Sequence, residues 1–585
     1  MHGGMASTNP GKRVIYIGYA VIILCGILLL SCARSGFGWN DESNYLAMTD
    51  RLFRGDRLIV HEWHPSQWFT VFLLPFYSLY RWITGSADGS LLFMRILYAL
   101  FSTCTALIVY RSFHSFKGVW LALAGALLIL FPARGFPGIL SYNTIPPMFL
   151  VLTSAAIYSY ANGQGRRLIP FAAGAAFAVA AGSYPYLGAF YFLALVAAMI
   201  LWKRVSSRWR TFVGFSALGI AVVALPYIAY VLRGGDVELI LNGMRFIFND
   251  PEHIYRSPYQ IVRSYFYRIL SVYGATLLPN AALILYVLIK RAARKKIGSA
   301  EGLTLLLTGM LACCVQIILK GYERGVAPYS LALVGFQAFL QTEKPDRPMF
   351  YGVFLPGFLY SLASHYSSNV GFRAVASGLA VSSMASVCLL WDCASALDSH
   401  DARRIRLPIR ATVALTLAVG LGALSLPFIK GAIQMPFDKT SVTIQQGPAA
   451  GLRVPPNEAE RYQATYDMIN QYASGEGNLI ITRLAPWAYM ASTMRCGAPT
   501  TWRLRFNEDR LKTYMELFPD RKPDLIISLR PAYDPKASAW RLPEDNVGPE
   551  KLNRALLDYA AANGMERVDT QCAVLFRRVP GNGQD

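Results

Sequence analysis

Long apolar segments alternate with short polar ones over most of the chain. Each apolar run is close to the roughly 20 residues that a helix needs to cross a bilayer. The pattern predicts thirteen membrane-spanning helices, at about 13–34, 92–112, 118–134, 142–161, 168–183, 184–202, 211–232, 266–289, 303–320, 326–341, 349–365, 371–394 and 408–428. The first run is longer than the apolar core of a signal peptide, so we interpret it as an uncleaved helix. The chain is therefore predicted to be a mainly α-helical, polytopic membrane protein.

One further apolar stretch, residues 68–83, decides the topology, because counting it as a span reverses the side of every later loop. Lys and Arg favour cytoplasmic loops. If residues 68–83 do not cross, such loops contain Lys12, Arg13, Arg111, Lys117, Arg166, Arg167, Lys203, Arg204, Lys290, Arg291, Lys344, Arg347, Arg403 and Arg404 among others. We therefore predict a helix along the outer membrane surface, where Trp68 and Trp82 suit the interface. A tilted span is the alternative.

The chain becomes polar after residue 429, where the predicted membrane module (1–429) ends. Gly and Pro separate short periodic runs here, which predicts a small soluble α/β domain over residues 430–585. The predicted strands are 478–482, 524–529 and 573–577, and the predicted helices are 458–472 and 551–563. An odd number of spans places the N-terminus in the cytoplasm and this domain outside, together with the large loops 35–91 and 233–265.

Charge and cysteine content narrow the class of protein further. Only 16% of the residues are charged, whereas about 25% is usual in soluble proteins. The net charge of +21 resides in loops that meet anionic lipid headgroups, so nucleic-acid binding is not expected. Cys496 and Cys572 are the two cysteines of the polar tail. An oxidising exterior permits a disulfide between them, and two buried thiols are the alternative.

Two adjacent carboxylates, Asp41 and Glu42, follow the first predicted span in the segment Gly38-Trp39-Asn40-Asp41-Glu42-Ser43-Asn44-Tyr45. A partly desolvated carboxylate at the membrane surface can act as a general base toward a hydroxyl group. The alternative is an ordinary helix start, in which acidic residues favour the first turn.

The same loop continues through His61-Glu62-Trp63-His64-Pro65 into the interfacial stretch, and Met94-Arg95-Ile96-Leu97 opens the second span. This order of motifs resembles the GT-C superfamily of membrane glycosyltransferases, particularly the protein O-mannosyltransferases and lipid A aminoarabinose transferases. The resemblance is specific over about residues 13–112 and otherwise rests on topology. It implies a GT-C-like fold that transfers a sugar, with inversion, from a polyprenyl-phosphate carrier to a hydroxyl of a glycan, lipid or protein acceptor.

By this resemblance Asp41 would be the general base, Glu42 its partner, and the segment near His64 part of the carrier-binding surface. Two departures stand out: Pro65 is followed by Ser66 where the family has a second proline, and Asn143 stands in the loop where relatives often carry Asp. Asn143 can hydrogen-bond a sugar but is a weak metal ligand. A divalent cation is therefore disfavoured, and no other cofactor is expected.

Transfer from a lipid phosphate requires cations near the leaving group, because negative charge grows there in the transition state. Each outward-facing cation could instead be a headgroup anchor. The candidates for substrate or carrier binding are Tyr45, Arg57, His64, Arg95, Asn143, Arg245, His253, Arg256, Lys320 and Arg324. The loop 233–265 is predicted to be either an amphipathic lid over the site or a structural surface helix.

Other classes of function remain as alternatives. A multi-span lipid or sugar transporter or flippase is disfavoured by the nearly charge-free spans. An O-antigen polymerase or ligase type of enzyme and a membrane scaffold also fit the helix count. The sequence has no nucleotide-binding or hydrolase motif, as expected for a donor already activated as a lipid phosphate. It has no Asn-x-Ser/Thr sequon, which agrees with a bacterial inner membrane.

Overall fold

A computed structural model of the chain describes residues 12–131, 138–200, 206–233, 236–250, 257–320, 325–367, 372–398, 411–426, 441–482, 485–502, 507–530 and 551–579. Helices occupy the apolar part of the chain, and a β-sheet forms in the polar C-terminal part.

The apolar part is a succession of helices joined by short loops. They are α1 (Lys12–Ser31), α2 (Asp41–Phe53), α3 (Thr70–Thr84), α4 (Ser90–Lys117), α5 (Val119–Leu130), α6 (Ile145–Ala161), α7 (Leu168–Ser183), α8 (Tyr186–Ile200), α9 (Ser207–Leu232), α10 (Val237–Phe248), α11 (Pro258–Tyr273), α12 (Leu278–Ala292), α13 (Ser299–Lys320), α14 (Val326–Gln341), α15 (Arg347–Met349), α16 (Leu355–Tyr366), α17 (Phe372–Asp398) and α18 (Ala411–Leu426). The short α15 continues through a π-helical turn, Phe350–Phe354, into α16.

Within the described residues, six segments are long and apolar enough to cross a membrane. They are Lys12–Arg34, Ser90–Lys117, Ser207–Leu232, Val262–Ala292, Ser299–Lys320 and Val375–Leu397. The chain is therefore an integral membrane protein. The apolar helices α5, α6, α7, α14 and α18 are shorter, with 10–17 residues. A helix rises about 1.5 Å per residue and the hydrocarbon layer is about 30 Å thick, so these shorter helices do not reach across it on their own. The total of thirteen crossings therefore stays a prediction.

Glycine allows the helices of the bundle to pack closely. A Cβ atom added at Gly174 of α7 would lie 1.9 Å from the carbonyl oxygen of Ser216 in α9. A Cβ atom added at Gly219 of α9 would lie 2.1 Å from the carbonyl oxygen of Phe171 in α7. Small residues at helix contacts are usual in membranes, where close backbone approach replaces the hydrophobic driving force.

The stretch 68–83 forms a short 3₁₀ turn, Gln67–Phe69, followed by α3. Helix α3 ends at Gly85, whose φ of +70° suits glycine. One side of α3 is fixed to α2, because the Tyr77 hydroxyl donates to Asp50 Oδ1 at 2.7 Å. The other side exposes large apolar residues near its end, with Trp82 82% accessible. This two-sided character suits an interfacial helix, whose position relative to the membrane stays a prediction.

The C-terminal part contains a five-stranded sheet in the order β4-β3-β5-β7-β6. Its elements, with a separate pair β1–β2, are β1 (Val442–Thr443), β2 (Arg453–Val454), α19 (Pro456–Tyr472), β3 (Asn478–Ile481), α20 (Trp487–Ala491), β4 (Arg495–Cys496), α21 (Glu508–Leu517), β5 (Leu525–Leu529), α22 (Lys551–Ala562), β6 (Glu566–Asp569) and β7 (Ala573–Arg577). Strand β3 pairs in parallel with β4 and β5, whereas β7 is antiparallel to β5 and β6. The predicted α/β character agrees with this sheet, and the boundary at residue 430 stays a prediction.

The loop after α1 lies against the C-terminal part. The backbone N–H of Trp63 donates to the carbonyl oxygen of Pro499 at 2.7 Å. Thr501 Oγ1 donates to Asn44 Oδ1 at 2.8 Å. Arg54 donates through Nη1 to the carbonyl oxygen of Ser492 at 2.7 Å, just beyond the end of α20. These contacts place α2 between the helical bundle and the sheet.

Candidate active site

Asp41 and Glu42 form the first turn of α2, so the predicted helix start is correct. Both carboxylates lie near the positive end of the helix dipole. Successive residues of a helix point about 100° apart, and the two side chains meet different surroundings. Asp41 is exposed, whereas Glu42 is only 8% accessible.

Glu42 is held by Arg95, which lies in the first turns of α4 and is 1% accessible. Arg95 Nη2 donates to Glu42 Oε2 at 2.6 Å, and Arg95 Nε donates to Oε1. The backbone N–H of Gly38 also donates to Oε2, at 3.0 Å. Such a bidentate, charge-assisted pair is strong and geometrically specific. The carboxylate of Glu42 is therefore fixed in position.

The remaining donors of Arg95 bind the end of the first span. Arg95 Nη1 donates to the carbonyl oxygens of Ala33 and Ser35, both at 2.9 Å. A guanidinium has five N–H donors, and four of these face Glu42, Ala33 and Ser35. The Arg95 guanidinium is buried and these bonds direct it inward. This position argues against the predicted contact between Arg95 and a lipid phosphate.

Tyr45 and Asn143, two predicted substrate contacts, meet each other. Asn143 Nδ2 donates to the Tyr45 hydroxyl at 3.0 Å. The Tyr45 ring also makes edge-to-face contacts with Phe69 and Tyr142, with centroids 5.7 Å and 5.5 Å away. The loop before α6 is thereby joined to α2, one helical turn after Asp41.

His64 and Arg57 lie in the loop between α2 and α3. His64 is 5% accessible, and its Nδ1 lies 2.7 Å from Ser66 Oγ. The backbone N–H of His64 donates to Glu62 Oε1 at 3.1 Å. Arg57 is partly exposed, and its backbone N–H donates to His61 Nδ1 at 3.0 Å. Ser66 therefore orients the ring of His64.

The other predicted cations lie on helices α10 and α13 or outside the described residues. Lys320 ends α13 and makes no ion pair with the residues that the structure describes. Arg245 is exposed on α10. His253, Arg256 and Arg324 lie outside the described residues.

Helix α10 packs against the loop between α2 and α3. The Phe246 ring stacks on Trp63, with centroids 4.3 Å apart and planes 9° from parallel. Arg510 of α21 donates to the carbonyl oxygen of Phe246. Helix α10 therefore packs between the loop and the C-terminal part. Both the lid and the structural surface helix stay predictions.

A buried cluster of charges that the sequence analysis missed lies at the other end of α2. It comprises Arg51, Asp56, Glu62 and Arg521, all at most 6% accessible. Arg51 pairs with Asp56 at 2.7 Å and with Glu62 at 2.9 Å, and Arg521 pairs with Asp56 at 2.8 Å. The acidic and basic residues of 50–62 are visible in the sequence, but their partner Arg521 is too distant along the chain to be inferred.

Burial and charge shift the pKa values in this cluster in different directions. Burial raises the pKa of Glu62, against the effect of Arg51. Burial also opposes ionisation of Asp56, but Arg51 and Arg521 outweigh it and lower the pKa of that carboxyl. For His61 burial dominates, and its pKa falls to about 4 despite the nearby Asp56. His61 is therefore neutral at pH 7.

Cys496 and Cys572 are both free and buried, so the predicted disulfide is wrong in this structure. Cys496 lies in the edge strand β4, and Cys572 directly precedes β7, three strands away. At about 4.8 Å per strand this separation is about 14 Å, well beyond disulfide reach. The thiols instead donate to the carbonyl oxygens of Ala498 and Ala464, each at 3.6 Å.

No cluster of three or more His, Cys, Asp or Glu side chains that could hold a metal ion occurs in the described ranges. Asn143 is bound to Tyr45.

Comparison with known proteins adds a likeness of overall structure. The fold is similar to ArnT from Cupriavidus metallidurans bound to undecaprenyl phosphate, with 13% identity, a TM-score of 0.48, and coverage of 98% of this chain and 99% of that one. It is also similar to the archaeal oligosaccharyltransferase AglB from Archaeoglobus fulgidus in complex with an inhibitory peptide and a dolichol-phosphate, with 13% identity, a TM-score of 0.39, and coverage of 88% and 69%.

No protein-family model matches the sequence, and no curated protein matches it. At this level of similarity the likeness describes the course of the chain and assigns no activity.

The pair Glu42–Arg95 generates a prediction about stability. Glu42→Gln should leave the buried guanidinium of Arg95 without its counter-charge, at a cost of about 3–5 kcal/mol. The measurement is the midpoint of thermal unfolding of the full chain in detergent. Exposed Glu238 provides the matched control, since Glu238→Gln should leave the midpoint unchanged. Equal midpoints for the two variants would contradict the role given to the pair.

His61 generates a prediction about pH. Its pKa is lowered from the ordinary 6.5 to about 4, so the unfolded chain binds more protons between these values. Stability present above pH 6.5 should therefore be lost as the pH falls toward 4, by up to about 3 kcal/mol.

The measurement is the unfolding midpoint at pH 7, 6 and 5 for the wild type and for His61→Asn, which keeps an acceptor for the N–H of Arg57. The raised pKa of Glu62 acts in the opposite sense and is common to both proteins. The variant should lose less stability than the wild type on acidification, and parallel pH profiles would contradict the assignment.

Proposed function

We propose that this protein is an inverting glycosyltransferase, with Asp41 as general base, that uses a polyprenyl-phosphate sugar as donor and a hydroxyl of a glycan, lipid or protein as acceptor. The observation that carries the proposal is the division among the five carboxylates between residues 41 and 62. Glu42, Asp50, Asp56 and Glu62 are buried and each is ion-paired with arginine. Asp41 is the exposed one.

This division favours Asp41 as the proton acceptor. Protonating Glu42 would disrupt its bidentate bond to Arg95 and leave a buried charge unbalanced. Asp41 is exposed and can therefore meet a solvent-borne or membrane-borne acceptor. The helix start fixes its backbone, and the Glu42–Arg95 pair fixes the adjacent residue. A base held in this way needs little reorganisation when an acceptor binds.

The proposed reaction is a single displacement. Asp41 accepts the proton of the acceptor hydroxyl while the hydroxyl oxygen bonds to the anomeric carbon of the sugar. The bond from that carbon to the phosphate oxygen breaks, and its electron pair leaves with the polyprenyl phosphate. Attack from the face opposite the phosphate inverts the anomeric configuration. The proposed contacts for the sugar hydroxyls are Tyr45, one helical turn from Asp41, and Asn143, which donates to the Tyr45 hydroxyl.

The leaving phosphate requires positive charge. Lys320 is the first candidate, because it ends a membrane helix and has no ion-pair partner among the described residues. Arg57 is the second, because it is partly exposed in the loop that contains Asp56 and His61. His64 is proposed to line the carrier-binding surface, oriented by Ser66. Arg95 is assigned to positioning Glu42.

The proposed membrane arrangement follows from the distribution of charge in the sequence. We infer thirteen crossings in a bacterial inner membrane, a cytoplasmic N-terminus, and α2, α3 and the C-terminal region on the extracytoplasmic side. This side would meet a donor whose sugar and phosphate project from the outer leaflet. The contact between α2 and the sheet supports the arrangement, since both must then lie on one side.

The test of the proposal is release of the carrier phosphate. Purified full-length protein with a polyprenyl-phosphate sugar and a membrane-lipid extract containing acceptors should release polyprenyl phosphate. Asp41→Asn keeps the shape of the side chain but removes the base, so release should slow by at least about 100-fold. The released lipid is measured by mass spectrometry.

The matched control is Asp88→Asn, which changes an exposed aspartate two residues before α4 and outside α2. It should retain the wild-type rate, and both variants should unfold at the wild-type temperature. Undiminished release by Asp41→Asn would refute the mechanism. Counter-flow of the sugar lipid in sealed vesicles, without release of phosphate, would favour the transporter alternative.

A further inference from the structure

A groove of about 500 Å³ runs along α19 in the C-terminal region. One wall is a single stripe of α19, because residues three and four apart lie on one face of a helix. This stripe consists of Asn457, Glu460, Ala464, Asp467 and Gln471. The opposite wall is the turn between β6 and β7, with Thr570, Gln571 and Cys572.

The walls of the groove are fixed from behind. On its other face α19 buries Tyr462 and Ile469, and the Tyr462 ring lies 4.3 Å from that of Trp487. The thiol of Cys572 donates to the carbonyl oxygen of Ala464, which joins the turn to the helix. The groove therefore exists without a ligand to shape it.

The lining of the groove selects for hydroxyl-rich ligands without negative charge. Carboxylates from Glu460 and Asp467 accept hydrogen bonds, and the amides of Asn457, Gln471 and Gln571 both donate and accept. Two carboxylates and the one guanidinium of Arg461 leave the lining with a net negative charge. Gln463 Nε2 donates to Asp467 Oδ1 at 2.8 Å and orients that carboxylate. Anionic ligands would be repelled, whereas hydroxyl and ammonium groups are matched.

One residue at the edge of the groove, Arg461, contacts the segment that precedes α2. Arg461 contributes to the groove, and its guanidinium carbon lies 4.4 Å from the centre of the Trp39 ring. Trp39 precedes Asp41 by two residues. A chain-like ligand longer than the groove would pass Arg461 and Trp39 before its end approached the start of α2.

We propose that this groove binds a neutral or amino-substituted glycan, namely the part of the acceptor that lies beyond the attacked hydroxyl. The inference rests on the proposed function, because it makes the glycan the acceptor of the transferred sugar. The volume falls within the range of small-molecule sites, about 300–1,000 Å³, and suits a few sugar rings.

The test is direct binding of oligosaccharides to the full-length protein in lipid nanodiscs, measured by saturation-transfer NMR and titration. The probes are a glucosamine tetrasaccharide, a glucose tetrasaccharide and a sulfated tetrasaccharide. The first two should bind and the third should not. The double variant Glu460→Lys with Asp467→Lys should weaken binding of the glucosamine probe at least tenfold.

Two further variants keep the test decisive. Glu476→Lys changes an exposed acid of the same region outside the groove and should bind as the wild type does. Gln571→Trp obstructs the groove without adding charge and should weaken both uncharged and amino-sugar probes, with an unchanged unfolding temperature. No binding by the wild type, equal binding by the groove variants, or preference for the sulfated probe would overturn the inference.

These outcomes are separate from those of the proposed function. Binding of the probes needs neither donor nor turnover, whereas release of carrier phosphate needs Asp41 and no oligosaccharide titration. Loss of probe binding with intact, Asp41-dependent release would remove the groove alone. Probe binding without any release of carrier phosphate would remove the transferase assignment and leave a glycan-binding site.

Discussion

The site depends on one buried ion pair, between Glu42 at the start of α2 and Arg95 at the start of α4. Burying two charges costs several kcal/mol for each ion, and only good geometry with further hydrogen bonds offsets that cost. Here both carboxylate oxygens are engaged, and Arg95 also binds the carbonyl oxygens of Ala33 and Ser35. The end of α1, the start of α2 and a membrane helix are thereby fixed to one guanidinium.

A second ionic cluster holds the opposite end of α2. Arg51 joins Asp56 and Glu62 within the loop, and Arg521 extends the cluster into the C-terminal region through Asp56. Helix α2 is thus bound to the bundle at its first turn and to the sheet at its last. Movement of either region relative to the other would strain α2 and shift the side chain of Asp41, so the two clusters together define the geometry of the candidate site.

Local pattern accounts for much of this structure. Apolar runs predicted the helices, and Gly and Pro spacing predicted the strands near β3, β5 and β7. The acidic pair and the loop containing Asn143 were also predicted to be near the site, and Asn143 contacts Tyr45. The sequence could not reveal the partner of Arg95 or the role of Arg521, because such pairings depend on three-dimensional proximity. The disulfide prediction failed for the same reason, since it required the order of strands in the sheet.

In the proposed mechanism, the contrast in burial between Asp41 and its neighbours explains how a loop rich in acidic and basic residues presents one carboxylate to an acceptor. An ion-paired, buried carboxylate is held by donors that compete with any substrate proton. A carboxylate at a helix start and at the surface can exchange protons with an acceptor while the dipole favours its charged form. Since Glu42 and Asp41 are adjacent, the helical twist alone separates the structural role of Glu42 from the chemical role proposed for Asp41. Exchanging their positions would reverse the assignment without changing the composition of the loop.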